Sequence, residues 1–334
     1  MEFKKDFSLK EYNSLELESS AKMFCDISNE NELIEAVKYA NEQKLRTVIL
    51  GSGTNIVLPK NLHCMILRNN LKGVIREGRY LKVSSGENWH DFVLWTLAND
   101  LFGLENLSLI PGTVGAAPIQ NIGAYGEEIA SRLVSVNTIN LETLQKKIFT
   151  NDECQFSYRD SFFKKNKQYF ICSIDLKLNL IDLPNTSYKS LSNFLISNNI
   201  TPNNATASEV SRAVMEIRSK ILPNPSVIPN VGSFFKNPFL TNSQLENLLS
   251  ICAETPYFTK KNNKHKISVA YLLEKEGWKG KSYGEVGVSA THSLVLTTQK
   301  GATQKNLLNF ANQIQYSIKD KYNLDLEIEP IIYN

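Results

Sequence analysis

The chain has no paired cysteines. Cys25, Cys64, Cys154, Cys172 and Cys252 are scattered, and no two are spaced as CxxC. That excludes a disulfide framework and a thiolate zinc cluster, and it fits the reduced thiols of a cytoplasmic protein. There is no apolar run of 18 residues, and the beginning, MEFKKDFSLKEYNSL, has no apolar signal core. Neither membrane insertion nor a cleaved leader is therefore expected. Charge of one sign is also scarce. The net charge of +3 is the balance of 37 basic and 34 acidic side chains spread along 334 residues, without the clustered basic footprint of a nucleic-acid partner. His63, His90, His265 and His292 share no metal-ligand spacing, and no metal is expected.

Two nucleotide fingerprints are nearly present but incomplete. In Leu50-Gly51-Ser52-Gly53-Thr54-Asn55 the third glycine of a GxGxxG pattern is replaced by Ile56, so it is not a dinucleotide fingerprint of the Rossmann type. Gly280-Lys281-Ser282 ends like a P-loop, but Lys275 stands where its first glycine belongs.

What is present fits a globular enzyme of two or three domains, with 42% hydrophobic and 21% charged residues. Asn29 followed by Glu32 caps a helix with Leu33, Ile34, Val37 and Ala40 on its apolar stripe. Thr47–Leu50 reads as a buried strand ending in a glycine turn, Leu81–Ser84 as a strand and Glu87–Asn99 as a helix. Strands are expected around Val134–Asn140 and Phe170–Asn179, with a hairpin-like return between them, and helices over Glu209–Arg218 and Gln304–Tyr322. Thr241 and Gln244 form a capping box ahead of Leu245 and Leu248. Leu222–Pro238, with four prolines, reads as a structured loop joining domains. Leu324–Ile332 alternates and reads as a terminal strand.

Glycine is concentrated in two places. Alone, Gly51–Asn55 reads as a turn as readily as a site, although its glycines would let backbone N–H groups approach a phosphate. The second place is the run from Ile110 to Gly126, where seventeen residues hold four glycines, three alanines, two prolines and no charge. A linker would be polar, whereas this segment is apolar and sterically thin. It suits a backbone laid against a large flat ligand with a pyrophosphate, such as flavin adenine dinucleotide.

LGSGTN, VSSGENW (Val83–Trp89) and IPGTVGAAPIQNIGAYG resemble, in that order, the FAD-binding domain of the UDP-N-acetylenolpyruvoylglucosamine reductase (MurB) family. SYRDS (Ser157–Ser161), VGSFFKNP (Val231–Pro238) and LEIEP (Leu326–Pro330) resemble the later motifs of the same family, so the likeness spans nearly the whole chain. Tyr188 resembles the tyrosine of the type I subgroup that closes over the nucleotide. The resemblance implies an α+β fold: a vanillyl-alcohol-oxidase/PCMH-type FAD domain of two α/β subdomains, plus a smaller α/β substrate domain. The expected division is 1–70 with 323–334, then 71–219, then 220–322. It further implies a cytoplasmic monomer that reduces the enolpyruvyl ether of UDP-N-acetylglucosamine to UDP-N-acetylmuramate. The electrons come from NADPH through noncovalent FAD in a ping-pong cycle.

Hydride addition to one carbon of the enolpyruvyl double bond leaves an enolate-like charge beside the carboxylate. Positioned charge should stabilise it, and a positioned acid must quench it. The resemblance puts Ser233 in the role of proton donor, Arg159 on the substrate carboxylate, and Glu329 with the arginine in stabilising the intermediate. Glu327, two residues away on the same strand face, is the natural competitor of Glu329. Expected FAD contacts are Gly51, Ser52, Gly53, Thr54, Asn55, Pro111, Gly112, Thr113, Gly115, Ala116, Gln120, Asn121, Gly123, Ala124 and Tyr125. Expected substrate contacts are Tyr158, Tyr188, Asn237 and Lys279. Two places depart from the family pattern. Pro256-Tyr257-Phe258 is shifted by one residue, and Lys220-Ile221-Leu222-Pro223 carries an extra residue, which bears on any role of Tyr257 and Lys220. Two alternatives stay open: an oxidase of the same flavin superfamily, and a sugar-nucleotide-binding module without catalysis, which would be expected to lack one of the three chemical residues.

Overall fold

The computed structural model describes residues 1–259 and 263–334 and divides into two compact units. The first comprises 1–7, 21–52 and 63–219; the second comprises 8–20, 53–62 and 220–334.

The first unit carries most of a four-stranded sheet ordered Lys4–Ser8, Ser20–Ile27, Asn61–Asn69, Arg46–Leu50, with the last two parallel. The helix Glu30–Glu42 begins at the expected Asn29 cap, whose side chain accepts from the Glu32 N–H, and buries Leu33, Ala36, Val37 and Ala40. These residues share one apolar core with Met23, Ile27 and Met65 of the sheet. A five-stranded antiparallel sheet is ordered Lys146–Thr150, Leu133–Asn140, Tyr169–Lys177, Tyr80–Ser84, Val74–Glu77. The expected return between Leu133–Asn140 and Tyr169–Lys177 therefore contains a strand of its own, Lys146–Thr150. The helix Trp89–Ala98 starts two residues later than expected because Asn88, not an earlier residue, supplies the cap. Lys189–Ser197 and Ala207–Ile221 form a small helical pair around Leu191, Leu195, Val210 and Val214.

The second unit has an antiparallel sheet ordered Asn230–Ser233, Val295–Thr298, Val286–Val288, Ser282–Tyr283. A three-stranded sheet runs Phe239–Leu240, His265–Ile267, Tyr257–Thr259. The helix Asn242–Ile251 opens on the expected Thr241–Gln244 capping box. The long helix Gln304–Tyr322 packs Leu307, Phe310, Ala311, Ile314 and Ile318 against this core.

Two sequence expectations need correction. The segment expected as a loop over 222–238 becomes a strand at Asn230, where the prolines stop and Val231 turns into the core. The segment 324–332 is not one strand: it pairs through an isolated bridge at Ile328, and strand pairing resumes only at Ile331–Ile332, parallel to Ile56–Val57. Pro330 lies between the two and has no N–H to donate to a ladder. Among the described residues, no helix is long and apolar enough to cross a membrane.

Candidate functional site

Within the first unit, three segments far apart in sequence meet. Gly51 ends the strand Arg46–Leu50 against the second glycine run, and a Cβ there would lie 3.0 Å from Thr113 Oγ1. Thr113 bridges to Asn88, and the Val114 and Gly115 N–H groups donate to the Glu87 and Ser85 carbonyls. A Cβ on Gly115 would fall 2.5 Å from Ser85 Cβ, so only glycine allows this approach. The glycines are thus specified first by protein–protein packing. The same path leaves donors over. The N–H groups of Ser52, Gly112 and Thr113 donate to no atom among the described residues. Backbone N–H groups need acceptors, and a cluster of them is an anion site. These segments fit the pyrophosphate of FAD.

SYRDS is sewn onto the same run. The Ser161 hydroxyl donates to the Ile119 carbonyl at 2.7 Å, and Asn121 Nδ2 donates to the Ser157 carbonyl at 3.1 Å. Arg159 Nη2 donates to the Gly123 carbonyl at 2.6 Å, and its guanidinium lies 5.2 Å from the Tyr158 ring. Arg159, Asn121 and Tyr125 all take positive φ, at 55°, 44° and 46°. Such conformations in non-glycine residues are held by their surroundings and concentrate at functional sites. Pro111 and Ser52 are exposed; Ala116, Gln120 and Ala124 are half-buried along the run. Tyr188 is half-exposed and meets Tyr125 edge-on at 5.6 Å. Burial pushes the Tyr125 hydroxyl above its ordinary pKa, with Arg218 opposing and Tyr188 adding.

Sequence reasoning missed two residues here. Arg218 has a buried Nε with no hydrogen-bond partner among the described residues, and burial lowers its pKa, with Tyr125 opposing and Arg159 adding to the fall. A half-buried arginine whose Nε is closed off from solvent without a partner has room for an electron-rich group from outside the chain. The available signal was its position: Ser211, Val214 and Arg218 recur at the spacing of one helix face, and the first two are buried. The second is Asn106, fully buried, whose Nδ2 donates to the carbonyls of Tyr125 at 2.9 Å and Asn185 at 2.7 Å. It ties the glycine run to the segment leading to Tyr188. Nothing in its sequence neighbourhood marks it.

Within the second unit, a Cβ on Gly53 would fall 2.0 Å from the Tyr12 carbonyl oxygen, and its own carbonyl accepts from the Ser14 N–H. Thr54 and Asn55 are half-buried beside it. Ser233 ends its strand at a bulge: Asn230 faces Thr297 but Ser233 faces Val295, so one extra residue is inserted. Gly232 absorbs it at φ 72°, with its N–H held by Asn230 Oδ1 at 2.9 Å. A bulge of this kind re-aims the following side chain. Phe234 and Phe235 then plunge into the core, both essentially inaccessible. Opposite them runs the chain end: Phe235 bridges Ile328, and the Glu329 N–H donates to the Phe234 carbonyl at 2.9 Å. The backbone of Glu329 is therefore held opposite Phe234, one residue along from Ser233. Glu327 is engaged elsewhere, in an ion pair with Lys236. Asn237 Oδ1 accepts from the Val269 N–H and so helps hold the helix Val269–Lys275. Lys279 is exposed and paired with Glu274. Tyr257 is exposed on its edge strand, with its ring against His265.

A family model described as the FAD binding domain matches residues 21–142, and one described as the C-terminal domain of UDP-N-acetylenolpyruvoylglucosamine reductase matches residues 222–333. A UDP-N-acetylenolpyruvoylglucosamine reductase of Flavobacterium johnsoniae is 40% identical over 98% of this chain and 99% of its own length. The chain belongs to the UDP-N-acetylenolpyruvoylglucosamine reductase family. Relatives of the same name from Pseudomonas fluorescens and Bdellovibrio bacteriovorus are each 37% identical, covering 100% and 99% of the chain and 99% of their own lengths. The fold is similar to the crystal structure of a member of this reductase family from Thermus caldophilus, with a TM-score of 0.69 at 22% identity over 100% of this chain and 98% of that one. It is also similar to 6-hydroxy-D-nicotine oxidase of Arthrobacter nicotinovorans, with a TM-score of 0.56 at 12% identity over 97% and 86% of the two chains. The fold class is that of the α+β, PCMH-type FAD-binding proteins.

Proposed function

We propose that this chain reduces UDP-N-acetylenolpyruvoylglucosamine to UDP-N-acetylmuramate for peptidoglycan synthesis, using NADPH as the electron source. The segments around Gly51–Asn55 and Pro111–Gly126 would hold FAD noncovalently, and Arg218, whose buried Nε has no partner among the described residues, would take an electron-rich part of it. Bound there, FAD would supply the hydride chemistry, with electrons from NADPH passing through its N5 to the enolpyruvyl double bond. Arg159 takes the substrate carboxylate; its guanidinium, anchored on the Gly123 carbonyl, is pre-organised for a planar, charge-assisted contact. That contact stabilises the enolate charge as it forms. The Ser233 hydroxyl gives its proton to the adjacent carbon. A serine is a weak acid, but an enolate carbon is a strong base, and the bulge at Gly232 fixes the direction of delivery. Glu329 works with Arg159 on the intermediate. Tyr158, Tyr188, Asn237 and Lys279 bind the sugar nucleotide, with Lys279 exchanging its Glu274 partner for phosphate. The working divisions are 1–70 with 323–334, 71–219 and 220–322, and the protein acts as a cytoplasmic monomer.

The observation that supports this reading is the hydrogen bond from the Glu329 N–H to the Phe234 carbonyl, which holds the Glu329 backbone against the residue that follows Ser233. Anaerobic titration tests it. The purified protein should be yellow, NADPH should bleach it, and the enolpyruvyl sugar nucleotide should restore the colour stoichiometrically. A colourless protein that FAD does not reconstitute would overturn the reading. So would a reduced flavin that oxygen re-oxidises rapidly and the sugar nucleotide does not, as in an oxidase.

A further inference from the structure

The segment 180–188 leads to Tyr188 with little structure of its own. Phe102 and Asn179 bridge at its start, and residues 182–187 have no regular secondary structure before the helix Lys189–Ser197. Leu180, Ile181 and Leu183 are exposed, so these apolar side chains do not anchor it. Polar ties do. Asp182 Oδ1 accepts from the Ala207 N–H at 2.7 Å, and the next ties converge on Asn185. The Asn185 carbonyl accepts from Asn106 Nδ2 at 2.7 Å, and Asn185 Nδ2 donates to Glu127 Oε1 at 2.8 Å. Asn185 Oδ1 accepts from the Ser187 N–H at 3.0 Å and the Ser187 hydroxyl at 2.6 Å, a turn that leads directly into Tyr188.

Asn106 is the fixed end of this chain of contacts. It is fully buried in the turn Glu105–Leu107, whose last carbonyl accepts from Trp89 Nε1 at 2.9 Å. Its amide also donates to the Tyr125 carbonyl at 2.9 Å. Turning the amide over would set its oxygen against two carbonyls, so the orientation is determined. Its Oδ1 has no hydrogen-bond partner among the described residues, so the polar hold of this side chain is donation alone. One buried amide thus grips the backbones of Tyr125 and Asn185, and the rings of Tyr125 and Tyr188 meet edge-on at 5.6 Å. We propose that Asn106 is a positioning residue: by joining the Tyr125 and Asn185 carbonyls it fixes where Tyr188 stands beside the glycine run, and so sets the affinity for the sugar nucleotide without touching it. The inference rests on the nucleotide-binding role given to Tyr188 above.

The test is a double-mutant cycle of Asn106→Leu and Tyr188→Ala in the FAD-loaded full chain, read as KM and kcat for the enolpyruvyl sugar nucleotide. Leucine is close to asparagine in size and donates nothing, so both carbonyls lose their donor. KM should rise about tenfold while kcat falls less than about threefold, the split expected when uniform binding is lost. In the Tyr188→Ala background the same substitution should raise KM by no more than about twofold, because the residue through which it acts is gone. A rise of about tenfold in both backgrounds would overturn the proposal, since independent damage adds. So would a wild-type KM in Asn106→Leu or in Tyr188→Ala. If Asn106→Leu does not fold, Asn185→Ala decides, because it removes the Glu127 tie and the turn at Ser187. It should show the same rise of about tenfold and the same non-additivity, and a wild-type KM would overturn the proposal. Wild-type protein that the sugar nucleotide does not re-oxidise would instead strike the functional reading. Amide exchange over residues 183–192 then decides the positioning role by itself. Asn106→Leu should speed that exchange about tenfold, and exchange at the wild-type rate would overturn the proposal.

Discussion

The run from Pro111 to Gly126 in the first unit and the segment from Val231 to Pro238 in the second are built in opposite ways. The first is specified by missing side chains. Gly115 lies against Ser85 where no Cβ fits, and the run carries no charge between Ile110 and Gly126. The second is specified by side chains that are present: two phenylalanines in the core, a buried lysine, and a ladder to the chain end. Emptiness lets a backbone offer its own N–H groups to a ligand. Filled, charged packing instead fixes the backbone from which single side chains, such as those of Ser233 and Glu329, project. On the proposed reading, cofactor holding and proton delivery are therefore separable, and substitutions in the two regions should fail differently.

The largest separation is expected from Arg159→Met and Glu329→Gln. Each should cost about 100- to 1,000-fold in turnover of the enolpyruvyl substrate, the usual loss when one group facing a developing charge is removed. Flavin content, read from the absorbance of the purified protein, should be kept. Gly115→Ala should show the reverse pattern: it forces a backbone shift against Ser85, destabilises the fold by about 1–3 kcal/mol as overpacking does, and lowers bound FAD. Calorimetry and flavin absorbance check both parts. Gly232→Ala meets nothing within 4 Å, but φ there is 72°. Its cost should be about 1 kcal/mol of dihedral strain, with slowed turnover and full flavin content.

The smallest effect concerns pH. His90 Nδ1 accepts from the Leu109 N–H at the entrance to the first run, and Leu109 sits at φ 59°. Burial lowers the folded-state pKa of His90, opposed by Asp91, while the unfolded value stays near 6.5. The unfolded state therefore binds the proton more readily. The stabilisation is fully present above about pH 6.5 and is lost as pH falls toward the depressed folded value. His90→Asn keeps an acceptor without the titration, so its melting temperature should be flatter with pH between 6.5 and 5. An unchanged slope would remove His90 from the account.

Much of this was legible from local chemistry. The Asn29 cap, the Thr241–Gln244 box and the helix Gln304–Tyr322 follow from neighbours within four residues. The glycine run was legible because its composition has no ordinary packing purpose. Three features were not. The strand Lys146–Thr150 is mostly polar and lies at a sheet edge, so it carries no alternation to read. Asn106 acts through two backbone carbonyls remote in sequence. The competition between Glu327 and Glu329 was left open by spacing alone, and the Lys236 ion pair bears on it only once residues 236 and 327 are brought together.

The measurement closest to the centre of the account is the pair of half-reactions in Ser233→Ala. If Ser233 delivers the proton and the glycine segments hold the flavin independently, NADPH should bleach the variant as fast as wild type. Re-oxidation by the enolpyruvyl sugar nucleotide should then fall by about 100- to 10,000-fold, the range for loss of a positioned acid. Re-oxidation at the wild-type rate would exclude Ser233 as the donor, and loss of the flavin itself would contradict the separation between the two regions.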